Sequence, residues 1–94
     1  MFTPLTAAHR ADYLRFAKAF YCSDAVEHPI PLSHMERTFD ALAAGSPYLA
    51  GFLLTHQGAP AGYALLMKTW SQEAGGLTVW ADELYVDPAF RGHG

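Results

Sequence analysis

Hydrophobic and polar positions divide the chain into two helical stretches and four strand-like ones. Phe2 to Leu5 has the length and apolar content of a short strand. Thr6 then offers an N-cap, and Tyr13, Phe16, Ala17 and Phe20, with Leu14 and Tyr21 beside them, recur at three- and four-residue intervals. That spacing predicts an amphipathic first helix. Cys22 to Pro31 contains Ser23, Asp24, Pro29 and Pro31, turn chemistry that excludes regular helix. A second helix is predicted where Ser33 and Glu36 form a capping box, Met35, Phe39 and Leu42 line one face, and Gly45 stops the run.

Tyr48 to His56 and Ala61 to Trp70 are rich in aromatic, Leu and small residues, and Gln57-Gly58 between them predicts an antiparallel hairpin. Neither strand alternates cleanly, as strands covered on both faces do not, so helices are expected above and below the sheet. Ser71 to Gly76 reads as a polar loop, and Leu77 to Val86 as a third long strand that ends where Asp87-Pro88 forces a turn. The order is strand, two helices and a three-strand meander, an α+β arrangement with no internal repeat or linker.

Composition narrows the function classes. Ninety-four residues allow one domain, and 51% hydrophobic against 16% charged residues exclude intrinsic disorder. A net charge of -3 with no basic cluster excludes a nucleic-acid partner held through phosphates. The segment from Ala41 to Met67 lacks Asp, Glu, Lys and Arg, but His56, Gln57, Gly58 and Pro60 break it into two strand-length pieces, so no membrane span is expected. Arg10, Asp12 and Arg15 interrupt any secretion-type apolar run. With a lone Cys22 and no targeting signal, the compartment expected is a reducing cytoplasm.

The informative segment is ADELYVDPAFRGHG, Ala81 to Gly94. It joins an acidic strand to an Asp-Pro turn and then to Arg and Gly residues of the kind that open a phosphate-cradling loop. Gly92 and Gly94 let backbone N–H groups converge on an anion, and Arg91 adds charge-assisted hydrogen bonds. The Arg-x-x-Gly spacing alone is weak evidence, and its position after the acidic strand and Asp-Pro raises its weight. Glu83 through Gly94 resembles the corresponding segment of the GNAT superfamily of N-acetyltransferases, which place acetyl-CoA on an Arg/Gln-x-x-Gly-x-Gly/Ala loop after their fourth strand.

The resemblance implies a GNAT-like acyl-CoA N-acyltransferase fold of α/β class, with residues 1–94 forming a single partial domain that stops at the first signature glycine. It implies transfer of an acetyl group from acetyl-CoA to a primary amine of a small-molecule or peptide acceptor. By position, Arg91, Gly92, His93 and Gly94 begin the pyrophosphate loop, and the backbone of Leu84, Tyr85 and Val86 pairs with the pantetheine arm. Glu83 is the implied base, a backbone N–H near Tyr85 the oxyanion donor, and the general acid a Tyr past Gly94.

Plainer readings stand beside these. Glu83 also reads as a solvated strand residue next to Asp82, and alternation favours neither carboxylate because a bulge would swap their faces. His93 reads as a solvent-facing variable position and Cys22 as a small buried hydrophobe. His28, Trp70 and Glu73 flank the expected acceptor end, where packing and loop solvation explain them equally well. The five His residues lack ligand spacing, so no metal is assigned. The competing function is a catalytically incomplete fragment or non-catalytic interaction module that associates, as a homodimer among other forms, through its exposed last strand. A dinucleotide site is excluded because no Gly-x-Gly-x-x-Gly follows a strand.

Overall fold

The computed structural model describes residues 1–23, 26 and 28–91. Strand β1 is Phe2–Pro4, followed by a 3-10 turn over Ala7–His9 that runs into helix α1, Arg10–Tyr21. Helix α2 is Leu32–Ala43, and strands β2, Leu49–His56, β3, Ala59–Ser71, and β4, Gly76–Val86, complete the described elements. A short 3-10 turn, Pro88–Phe90, follows β4. The strands form one antiparallel sheet in the order β1-β2-β3-β4.

Local chemistry explains these boundaries. Thr6 opens the Ala7–His9 turn and donates its backbone N–H to His9 Nδ1 at 3.0 Å. The Ser33 capping box does not form. Pro31, with φ -65° and ψ 149°, is the N-cap of α2, and its carbonyl accepts from His34 N at 3.0 Å. The preset φ of Pro31 starts the helix at Leu32 and draws Ser33 inside its first turn. Beyond the end of α2, Gly45 takes φ +80°, a left-handed value that glycine accepts without penalty. Gln57 and Gly58 both have positive φ, 52° and 81°, the type I′ turn whose twist matches a two-residue hairpin.

Both helices lie on the same face of the sheet. Tyr13, Phe16 and Ala17 of α1 and Met35 and Phe39 of α2 join Leu53, Tyr63, Leu65 and Tyr85 in one core cluster. The sequence predicts helices above and below the sheet; among the described residues both lie on one face. Leu53, Tyr63 and Tyr85 oppose one another across β2, β3 and β4, so they share the helix-covered face. The opposite face carries the row Phe2, Leu54, Gly62 and Val86, and further along the sheet Phe52, Ala64 and Leu84. That face is apolar yet uncovered by any described helix, with Phe2 at 64% and Leu84 at 61% exposure, and it is why the strands failed to alternate. Cys22 also departs from expectation. It caps the C-terminal end of α1 and is exposed, not buried.

Gly62 fixes how closely β3 approaches β4, because a Cβ there would overlap the Tyr85 carbonyl oxygen. Backbone cannot give way as a side chain can, whereas at Gly51 the nearest atoms are the flexible ends of Leu5 and Leu42. Gly62→Ala should therefore destabilise the chain by about 3 kcal/mol and Gly51→Ala by no more than about 1 kcal/mol. Urea denaturation followed by circular dichroism checks the ranking, which equal losses would contradict.

Candidate active site

Strand β4, outermost in the described sheet, carries a bulge at the acidic pair. Leu65 pairs with Glu83 and Leu66 with Ala81, so Asp82 is the extra residue without a partner on β3. The strand is therefore not regular, and simple alternation of Asp82 and Glu83 does not hold. Glu83 falls in register with Leu65 and Gly51, the row next to Leu53, Tyr63 and Tyr85, and so faces the helices. Asp82 is exposed and Glu83 half-buried.

Two phenols converge on Glu83. Tyr21, the last residue of α1, donates its hydroxyl to Oε2 at 2.5 Å, and Tyr63 of β3 donates its hydroxyl to Oε1 at 2.6 Å. These are short O–H···O⁻ bonds of the charge-assisted kind. Neither tyrosine emerged from the sequence as a site residue, because Tyr21 fitted the first helix's apolar face and Tyr63 a buried strand. The available signal was the hydroxyl itself: three positions on surfaces that meet, Tyr13, Tyr21 and Tyr63, carry Tyr where Phe would fill the same space. Burial first, and then the Glu83 carboxylate, hold all three phenols well above the ordinary tyrosine value. At neutral pH they are neutral donors. Among the described residues, ion pairs engage Asp12, Glu36, Asp40 and Asp87, and none engages Glu83.

The chain beyond β4 is held by its own backbone. Asp87 N donates to Ala61 O at 2.7 Å, Asp87 Oδ1 accepts from Ala89 N at 2.9 Å, and Phe90 N donates to Asp87 O at 2.8 Å. Arg91 folds back, its Nε donating to Val86 O at 2.7 Å and its guanidinium lying 5.6 Å from the Tyr85 ring centre. Leu84, Tyr85 and Val86 lie on the outermost described strand of the sheet. Gly92, His93 and Gly94 lie outside the described residues. A cavity of about 170 Å³ lies on the uncovered face beside this turn, lined by Phe2, Leu54, His56, Val86 and Phe90 among others. It does not contain Glu83. Trp70 is 73% exposed, and Glu73 and His28 are also exposed and make no described contact with Glu83. No group of metal-ligating side chains occurs among the described residues, and none of the described helices is long and apolar enough to cross a membrane.

No protein-family model and no curated protein matches the sequence. Solved structures do match. An integron cassette protein from the mobile metagenome of Cole Harbour Salt Marsh is 25% identical, with a TM-score of 0.85 over 99% of this chain and 60% of that one. AAC(6')-Iy, solved in complex with the bisubstrate analogue CoA-S-monomethyl-acetylneamine, is 16% identical with a TM-score of 0.76, over 100% of this chain and 61% of that one. A GNAT family acetyltransferase of Staphylococcus aureus is 13% identical with a TM-score of 0.71, over 100% of this chain and 67% of that one. The chain spans about three fifths of the length of the first two structures, 60% and 61%.

The phenol cluster generates a prediction for alkaline stability. Tyr13 and Tyr63 are 2% and 0% exposed, and each ionises far less readily in the folded chain than in the unfolded one, where the ordinary value is 10.0. Their contribution is fully present below pH 10 and is lost as the unfolded chain releases protons above it. Folding free energy should stay level from pH 7 to 9 and fall above pH 10 by about 1.4 kcal/mol per pH unit for each buried phenol. Tyr63→Phe should make the decline shallower. Urea titrations at pH 8, 10 and 11 measure the slope, and a slope unchanged by the substitution would remove Tyr63 from the account.

Proposed function

We propose that this chain, which carries a fold shared with an aminoglycoside N-acetyltransferase and a GNAT family acetyltransferase over 61% and 67% of their lengths, belongs to an enzyme that moves an acetyl group from acetyl-CoA to a primary amine. The observation that carries the reading is Glu83: a half-buried carboxylate on an edge strand, beside a bulge, hydrogen-bonded by two phenols and paired with no described cation. An alkylamine is protonated near neutral pH and cannot attack a thioester until a base removes its proton. Glu83 accepts that proton, directly or through one ordered water. The matched structures support the class of reaction, since one is a GNAT family acetyltransferase and another was solved with a CoA bisubstrate analogue.

Acetyl-CoA, when bound, supplies the activated acyl carbon. On this chain the residues that would hold it are Leu84, Tyr85 and Val86, whose outer edge is open to an added strand-like partner, and Arg91 with Gly92, His93 and Gly94 toward the pyrophosphate. The Val86 carbonyl is occupied by Arg91, so turning that guanidinium toward a phosphate frees the carbonyl for the pantetheine arm. A backbone N–H near Tyr85 stabilises the negative charge that develops on the carbonyl oxygen. The acceptor is a small-molecule or peptide amine.

A second reading rests on the sheet edge. Leu77, Val79, Trp80 and Leu84 of β4 are 62%, 52%, 59% and 61% exposed, and an apolar edge strand recruits another chain. Under this reading the 94-residue chain is a non-catalytic module that pairs with a second copy along β4. Light scattering that finds a stable, monodisperse monomer of this chain excludes it.

Two measurements test the transferase reading in a chain completed to the length of the matched folds. Glu83→Gln should lower the acetyl-transfer rate by about 10²- to 10⁴-fold near neutral pH, leave acetyl-CoA affinity unchanged, and recover part of the rate as pH rises and the amine arrives deprotonated. Full activity in Glu83→Gln together with loss in Asp82→Asn would move the base to Asp82. In calorimetry CoA should bind far more tightly than dephosphorylated pantetheine, through contacts of helix-terminus and Arg type. Equal affinities would remove Arg91 and its neighbours from the phosphate site.

A further inference from the structure

A carboxylate has two oxygens and about four lone-pair sites, and the direction from which it can receive a proton depends on which sites are already taken. On Glu83 one site of each oxygen is taken, Oε2 by Tyr21 and Oε1 by Tyr63. The two donors come from different elements, one from the end of α1 and the other from β3, and each is braced by its neighbours. Tyr63 is fully buried, with Tyr13 edge-on at 5.2 Å and Tyr85 at 6.3 Å. Tyr21 is braced edge-on by Phe20 at 5.2 Å. The carboxylate therefore has little freedom to rotate.

Both donors are neutral. An Arg or Lys in their place would hold the carboxylate as firmly but would cancel its charge, and with it the attraction for a substrate cation. Among the described residues, the titratable groups around Glu83 are Tyr13 and Tyr21 on α1, Tyr63 on β3, and Asp82 and Tyr85 on β4, none of them a cation. We propose that Tyr21 and Tyr63 are positioning residues that fix the orientation of the Glu83 carboxylate while leaving its full charge and one free lone pair on each oxygen for an incoming ammonium. This rests on the acetyl-transfer reading, and its chemistry is a single proton transfer: the ammonium N–H bond breaks, its electron pair stays on nitrogen, and the proton joins a free Glu83 lone pair.

The test separates the contact from its role. In the 94-residue chain, carbon-13 NMR of the Tyr21 ring should show the phenol ionising at higher pH than free tyrosine and moving back toward it in Glu83→Gln. In a chain completed to the length of the matched folds, Tyr21→Phe should lower kcat with an alkylamine about 10- to 100-fold and leave the KM for acetyl-CoA unchanged. With a weakly basic amine, already neutral at pH 7, the loss should shrink to about threefold or less, because no proton must leave before attack. A merely structural Tyr21 would depress both acceptors alike. Equal losses, or no loss with either amine, overturn the positioning role. A Tyr21 that titrates like free tyrosine, unmoved by Glu83→Gln, overturns the contact whatever becomes of the transferase reading. A Tyr21 titration that is raised and moves with Glu83→Gln, together with no acetyl transfer by the completed chain without substitutions, overturns the proposed function and the role built on it, and leaves the hydrogen bond standing.

Discussion

Tyr63 is the point on which the helices, the sheet and the candidate site all depend. Its side chain is wholly buried, its ring is 5.2 Å from Tyr13 and 6.3 Å from both Phe20 and Tyr85, and its hydroxyl reaches Glu83 at 2.6 Å. Aromatic rings supply much of the apolar area of a small core, and edge-on pairs constrain the angle at which elements meet. In a chain of 94 residues with no disulfide, this cluster is what seats α1 against β3 and β4. A phenol inside it must find a hydrogen-bond partner or leave a polar atom stranded. Glu83 is that partner, so the packing of the core and the orientation of the carboxylate are one arrangement.

The bulge at Asp82 makes this possible. A regular β4 cannot keep both the upstream apolar residues and Glu83 in the register seen here, since one residue of slip reverses every side chain. Opposing Leu65 and Leu66 with three residues, Ala81 to Glu83, resets the face at the acidic pair. Glu83 then lies inside the phenol cluster and Asp82 in solvent. The same strand is the edge of the described sheet, so the place where the carboxylate is held is also the place where backbone is open to a ligand.

The two faces of the sheet differ in kind. On the helix side, cation contacts reinforce the apolar core at its rim: Arg10 bridges α1 to Asp40 of α2 at 2.6 Å and lies 5.5 Å from the Phe39 ring. Exposed pairs of this sort contribute little alone, and the apolar cluster carries the helix docking. On the other side, Phe2, Phe52, Leu54, Ala64 and Leu84 face outward without a described helix over them. The matched structures extend beyond the length this chain spans, and an apolar surface of this kind is costly to leave in water.

The sequence by itself determined the element order, the core positions of both helices, the Gln57-Gly58 turn, and the end of the last long strand at Asp87-Pro88. These are local matters: periodicity and turn residues act over a few positions and agree with the final packing, whereas the cap expected at Ser33 gave way to Pro31. The Glu83-to-Gly94 pattern also pointed to the fold that solved structures share, and it singled out Glu83. Tertiary structure alone decided the rest. Whether helices cover one face or two depends on where the chain goes, not on how a strand alternates, and an apolar but uncovered face reads the same as a buried one. The pairing of Tyr21 and Tyr63 with Glu83 joins residues separated by 62 and 20 positions, and no local pattern distinguishes a phenol that packs from one that also donates. The bulge that separates Glu83 from Asp82 is set by β3 across the sheet, since register is a property of two strands and not of either one.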